Sequence, residues 1–132
     1  MDFTFLSRWS PQLLSVLRII AGLLFFAHGT AKLLGFPQVE MFAGLQLFSL
    51  MGLAGVLELV GGALLVIGLF SRLTAFILAG EMAVAYFMEH APQSFHPMIN
   101  QGEAAILFCF IFLYIAAAGP GPWSADASRG KG

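Results

Sequence analysis

Charged side chains are scarce in this sequence. Only 10% of its 132 residues are Asp, Glu, Lys or Arg, whereas 59% are hydrophobic. Soluble domains carry about 25% charged residues, so this composition indicates a protein whose main partner is the lipid bilayer. The net charge of −1 and the lack of any run of Lys or Arg exclude the basic surface that nucleic-acid binding requires.

Cysteine is almost absent as well. Cys109 is the only one, which excludes an internal disulfide, a C-x-x-C redox pair and a metal site built from cysteines. The sequence has no flavin or iron–sulfur motif, and only His28 and His90 could supply the two opposed histidines of a b-type haem, which we do not expect. We therefore predict no metal and no intrinsic cofactor, so that any electron transfer would depend on a partner.

Four apolar runs are long enough to cross most or all of a hydrocarbon core of about 30 Å. They predict helices over residues 12–34, 51–70, 73–90 and 101–118. The predicted fold is all-α, a four-transmembrane-helix bundle formed as a single domain by residues 1–132. The apolar run of the first helix is too long for a signal peptide, so we expect this helix to be retained.

Two segments outside the helices give weaker patterns. Residues 38–50 are apolar but lack a clean helical period, and we interpret them as an interfacial or re-entrant segment. Residues 119–132 follow a Gly-Pro-Gly-Pro break and are polar, which predicts a flexible tail. With four spans, Arg8, Arg72, Arg129 and Lys131 lie on the same side as both termini. The positive-inside rule then predicts cytoplasmic termini in a bacterial inner membrane.

One face of the first helix is cationic. Arg18 and Lys32 fall in one narrow sector of the helix, and His28 flanks it. Charges within a span normally face a partner helix or a wet cavity. Depths counted along the helices place Arg18 near Glu81 in the cytoplasmic half, and we predict that these two residues form a structural ion pair.

A second group of charges is predicted near the outer face. There His28 and Lys32 would meet three carboxylates, those of Glu58, Glu89 and Glu103. Histidine can exchange a proton near neutral pH, so His28 and Glu58, which would hold the imidazole, are our candidate catalytic residues. All five are candidates for binding a quinone or another substrate, with Lys32 orienting an anionic or carbonyl oxygen. We expect the remaining histidines, His90 and His96, to be solvated.

Three stretches of the sequence together match a known pattern. They are LRIIAGLLFFAHGTAKLLGFP, GVLELVGGALLVIGLFSR and NQGEAAILFCFIFLYIAAAGPGPWSADA. With the four-span layout, they resemble the DoxX family of small bacterial membrane proteins over essentially the whole chain. The resemblance implies a four-helix inner-membrane protein. The family is named after a small subunit of an archaeal thiosulfate:quinone oxidoreductase or terminal quinol oxidase.

Two functions remain open on this basis. The first is a small subunit or accessory of a quinone-linked oxidoreductase, whose outer charged group binds a quinone head group or an oxidised small substrate. The second is a non-enzymatic membrane subunit, assembly factor or chaperone whose buried charges serve packing alone. Either function implies a homo-oligomer or a larger membrane complex. A transporter ranks third because the chain is small.

Overall fold

All regular secondary structure is helical in the part that the computed structural model describes, residues 2–37, 44, 46 and 48–132, and no strand occurs there. The longer helices are α1 (Ser10–Leu33), α2 (Leu50–Ile67), α3 (Ser71–Ala85) and α5 (Glu103–Ala118), and the single-turn helices are α4 (Pro97–Asn100) and α6 (Ala125–Ser128). A 3₁₀ helix (Thr4–Trp9) leads into α1, and a π-helical segment (Tyr86–His90) extends α3. The predicted segment at 38–50 lies largely outside the described residues.

Three helical stretches are long and apolar enough to cross a membrane: Thr4–Leu33, Leu50–Ile67 and Ser71–His90. The fourth apolar helix, α5, has 16 residues and is therefore about 24 Å long. It begins two residues later than predicted because Gln101 adopts a left-handed backbone conformation, with φ of 62°, which interrupts the helix. The predicted all-helical membrane fold is confirmed.

Helices α1 and α2 pack with their backbones in direct contact at glycines. A Cβ atom added to Gly62 would lie 2.5 Å from the backbone nitrogen of Phe26, and one added to Gly29 would lie 2.4 Å from that of Leu59. Neither distance is possible for a real Cβ atom, so only glycine allows this approach. Glycines on both helices therefore admit the neighbouring backbone.

The bundle consists of two closely packed helix pairs, α1 with α2 and α3 with α5, whereas α2 and α3 contact each other less extensively. Buried side chains from all four helices form the core, including Phe25, Leu65, Leu78 and Phe112. The ring of Phe25 meets that of Phe112 edge to face, with 4.7 Å between the centroids.

The C-terminal segment is folded against the helix ends, so the prediction of a flexible tail over 119–132 is wrong for its first part. Pro120 is buried. The N–H of Trp123 donates to the hydroxyl of Ser15 at 3.1 Å, and the N–H of Asp126 donates to the carbonyl of Gly68 at 2.9 Å. These contacts close one end of the bundle.

Asp126 caps helix α3 from a distant part of the sequence. Its carboxylate accepts hydrogen bonds from the N–H groups of Phe70 at 2.9 Å and Ser71 at 2.8 Å, which are among the unpaired donors at a helix start. Burial of this carboxylate raises its pKa, but the two backbone donors and the charge of Arg129 outweigh burial. The net result is a pKa of Asp126 below its usual value.

Replacing Asp126 with Asn should destabilise the protein by about 1 to 3 kcal/mol at neutral pH, because a charged acceptor is lost from two backbone donors. Since the pKa of Asp126 is lowered by folding, its stabilising effect is complete above the unfolded value of about 3.9 and disappears as the pH falls through the folded value. Melting temperatures of parent and variant should therefore converge in acid. A gap that is constant across the pH range would contradict this role.

Candidate functional site

Arg18 does not pair with Glu81, and the predicted structural ion pair is wrong. Its guanidinium is fully buried and donates to three backbone carbonyls, those of Leu65 at 2.8 Å, Pro120, and Trp123 at 2.7 Å. The physical reason is that a guanidinium has five donors in a fixed fork, and the C-terminal segment supplies several acceptors at once. Arg18 therefore stabilises the end of the bundle that the C-terminal segment covers.

Lys32 and Glu58 form a buried ion pair at the opposite end of the α1–α2 interface. The Lys32 Nζ and the Glu58 Oε2 are 2.9 Å apart, and the side chains are 11% and 3% exposed. The close approach of the helices explains this contact, because the Cβ of Lys32 lies against Gly55, one turn before Glu58 on α2. Two residues that were predicted to share a site are therefore in direct contact.

Glu81 of α3 meets this pair. The carboxyl groups of Glu81 and Glu58 lie within hydrogen-bonding reach of each other, and Glu81 also interacts electrostatically with the ammonium group of Lys32. Glu58 Oε1 and Glu81 Oε1 are both buried without a hydrogen-bond donor among the described residues. A proton held between these oxygens would satisfy both of them.

The charge balance of this trio supports the same conclusion. Two ionised carboxylates in contact repel each other strongly when water is excluded, and such pairs normally share one proton. One ammonium group, that of Lys32, then balances one carboxylate. Glu58 and Glu81, which sequence reasoning assigned to different groups, lie together as one carboxyl pair, and Lys32 is the cation beside it.

His28 lies beside this trio without contacting Glu58 in the way we predicted. Its ring packs edge to face against Phe25, with 5.9 Å between the centroids, and the residue is exposed. The reason is geometric: Gly29 faces α2 directly, so the preceding residue lies about 100° away around the helix. Glu58 instead pairs with Lys32. Lys32 follows Gly29 by three residues, nearly one helical turn, and therefore lies on the same side of α1, facing α2.

A π-helical segment brings Glu89 and His90 toward the same region. The N–H of Ala91 donates to the carbonyl of Tyr86 at 2.9 Å, and this wider turn rotates less per residue than the α-helical 100° or so. Glu89 and His90 therefore come round to the side that carries Glu81. His90 is partly buried, with its Nδ1 2.9 Å from the carbonyl oxygen of Asn100, so our expectation that it is solvated is wrong.

Two residues stay outside the group. Glu103 is exposed at the first turn of α5, and the face of α5 that turns inward begins with Ala104, Ala105 and Phe108. The prediction that Glu103 takes part in binding is therefore not supported by its position. His96 is exposed in the loop before α4, as expected.

A cavity of about 660 Å³ unites the remaining charged residues. Its walls come from α1, α2, α3 and α5, and its titratable side chains are those of His28, Lys32, Glu58, Glu81, Glu89 and His90. Exposed aliphatic residues of α2 and α3, such as Leu53 and Val84, also line it, so the cavity opens sideways between these helices. No three His, Cys, Asp or Glu side chains in the described ranges converge as metal ligands would.

Known proteins similar to this chain provide independent information. The DoxX family model matches residues 13–91. A Haemophilus influenzae protein named "Uncharacterized protein" is 43% identical over 112 residues, which are 81% of this chain and 83% of that protein. A Bacillus subtilis protein named "Putative oxidoreductase CatD" is 35% identical over 66 residues, which are 48% of this chain and 49% of that protein. No solved structure matches.

Proposed function

Because this chain belongs to the DoxX family of membrane proteins, we propose that it is a small subunit or accessory of a membrane redox system, and that its cavity binds the head group of a quinone or of another oxidised small substrate. The observation that carries the proposal is the Lys32–Glu58–Glu81 trio inside a cavity of about 660 Å³. Pockets for small organic ligands measure about 300 to 1,000 Å³. The B. subtilis relative is named an oxidoreductase, which also supports a redox role.

The trio fits the proton chemistry of such a head group. When a quinol is oxidised to a quinone, it loses two electrons and two protons. The Glu58–Glu81 pair would accept one of these protons at its carboxyl oxygens, and the imidazole of His28 would accept the other. The Lys32 ammonium would donate a hydrogen bond to the carbonyl oxygen that forms. The electrons would pass to a redox cofactor of a partner subunit. His28 and Glu89, both exposed at the cavity, would exchange protons with the surroundings.

The position of the cavity suits exchange with the outer side of the membrane. Arg72 contacts the C-terminal end of α5, and Arg129 lies over the ring of Phe70, so basic residues gather at the end of the bundle opposite to the cavity. By the positive-inside rule, this end and both termini would be cytoplasmic in a bacterial inner membrane. The trio would then lie nearer the outer face.

A binding experiment tests this function directly. We expect Glu58→Gln and Lys32→Met each to weaken binding of a short-chain ubiquinone to the purified protein in nanodiscs by about tenfold or more, the effect of losing one buried polar contact. Binding would be measured as ligand-induced thermal stabilisation. The matched control is Glu103→Gln, which changes an exposed acid outside the cavity and should bind like the parent.

The alternative of a non-enzymatic helper has an observation in its favour. Arg18 shows that this chain uses a fully buried charge for packing alone. If the parent does not bind the quinone, or if folded Glu58→Gln and Lys32→Met variants bind it as the parent does, the trio has only a structural role. The protein would then be a complex subunit, assembly factor or chaperone, and co-purification from native membrane would identify its partners.

A further inference from the structure

We propose that the groove between α2 and α3 holds the prenyl chain of the ligand whose head group occupies the cavity, so that the ligand is a lipid-soluble quinone that enters sideways from the bilayer. This inference rests on the proposed function and narrows its substrate class. A water-soluble redox compound has no prenyl chain that could occupy such a groove.

The groove is a second, smaller space of about 210 Å³ along the α2–α3 contact. Its walls are aliphatic apart from Gly61 and Thr74. Leu57 and Ile77 line both the groove and the cavity, so the two spaces are neighbours across shared side chains. The cavity carries carboxylates and an ammonium group, and the adjoining groove is apolar.

The groove also faces the membrane. Val56, Val60 and Ile77 line it and are exposed by 37%, 53% and 45%. On α2 its lining extends from Val56 to Leu64, a length of about 12 Å at 1.5 Å per residue. A chain attached to a head group beside Glu58 would therefore continue along α2 toward the turn that joins α2 to α3, without leaving the hydrocarbon region.

The charges at the polar end favour a quinone over a phospholipid. With one proton shared, the Lys32–Glu58–Glu81 trio has no net positive charge to hold a phosphate, and the carboxyl group of Glu89 at the cavity would repel one. The head group of a quinone is neutral and offers carbonyl oxygens as acceptors. The ammonium of Lys32 and the protonated carboxyl of the Glu58–Glu81 pair are donors of the kind that it requires.

The test compares two ubiquinones with the same head group, one with a single prenyl unit and one with a long prenyl chain, on the full-length protein in nanodiscs. The parent should bind the long-chain compound more tightly by about fivefold or more through packing in the groove. Val60→Trp should fill the groove and abolish this preference while leaving affinity for the short-chain compound within about twofold. Val56→Trp provides a second groove variant in case the first does not fold.

The control is Val16→Trp, which places the same ring on an exposed position of α1 and should keep the preference for the long chain. If the short-chain compound binds and the groove variants retain the preference, the groove assignment is wrong although the head-group site stands. If neither compound binds the parent, the proposed function fails together with this inference. Recovery of phospholipid in place of quinone from the protein purified out of native membrane, lost in Val60→Trp, would also overturn the assignment.

Discussion

Replacing Arg18 with Met should destabilise the protein by about 3 to 5 kcal/mol, because the carbonyl of Trp123 loses its donor, that of Pro120 keeps only the Ser15 hydroxyl, and a cavity remains in a packed site. Arg18 is fully buried, and its donors reach the carbonyls of Leu65, Pro120 and Trp123. Met keeps most of the aliphatic length and removes the hydrogen bonds. The expected result is a large loss of melting temperature and of folded yield.

The control for this prediction is Arg72→Met. Arg72 also donates to backbone carbonyls, those of Ala116 and Ala117, but these hydrogen bonds are exposed to solvent. Its replacement should cost less than about 1 kcal/mol, since water can replace the lost donor. Similar losses in both variants would show that burial of the Arg18 contacts is not what makes them important.

Gly62→Ala should destabilise the protein by about 3 kcal/mol or more, because the added methyl group cannot be accommodated without separating two helices. It would lie 2.5 Å from the backbone nitrogen of Phe26 and 2.7 Å from the carbonyl oxygen of Gly22. Backbone atoms of a helix cannot rotate away as a side chain can. The measurement is thermal unfolding in detergent, supported by the fraction of protein that runs as a monodisperse species.

Gly80→Ala is the matched control within the same bundle. Gly80 lies in α3, and nothing lies within 4 Å of a Cβ built there. Because Ala is a better helix former than Gly, this variant should be as stable as the parent or up to about 1 kcal/mol more stable. Equal destabilisation by both substitutions would show that the α1–α2 approach does not depend on glycine.

The sequence was sufficient to predict the helices and part of the site. Apolar runs between glycine and proline breaks indicated the four helices, because chain length and hydropathy act locally. Lys32 and Glu58 were correctly placed in one group, since both depths follow from the helical rise and the two helices are consecutive. Whether this group binds a substrate stays a prediction.

The partners of Arg18 and Glu81 could not be predicted, for two physical reasons. A depth estimate fixes the height of a residue in the membrane but not the direction in which its side chain points. In addition, the acceptors of Arg18 are backbone carbonyls, which every residue carries and no sequence pattern marks. The π-helical turn at Tyr86–His90 has no such mark either, so the inward position of His90 was also missed.

The partners of Arg18 also impose an order on biosynthesis. A ribosome makes the chain from its N-terminus, so α1 is produced long before Pro120 and Trp123, which accept hydrogen bonds from Arg18 and are separated from it by 102 and 105 residues. Until those residues emerge, the guanidinium must remain hydrated or borrow acceptors from lipid head groups. A segment translated long after α1 therefore completes the hydrogen bonds of its arginine, and a nascent chain that stalls before Pro120 lacks two of the three carbonyl partners of Arg18.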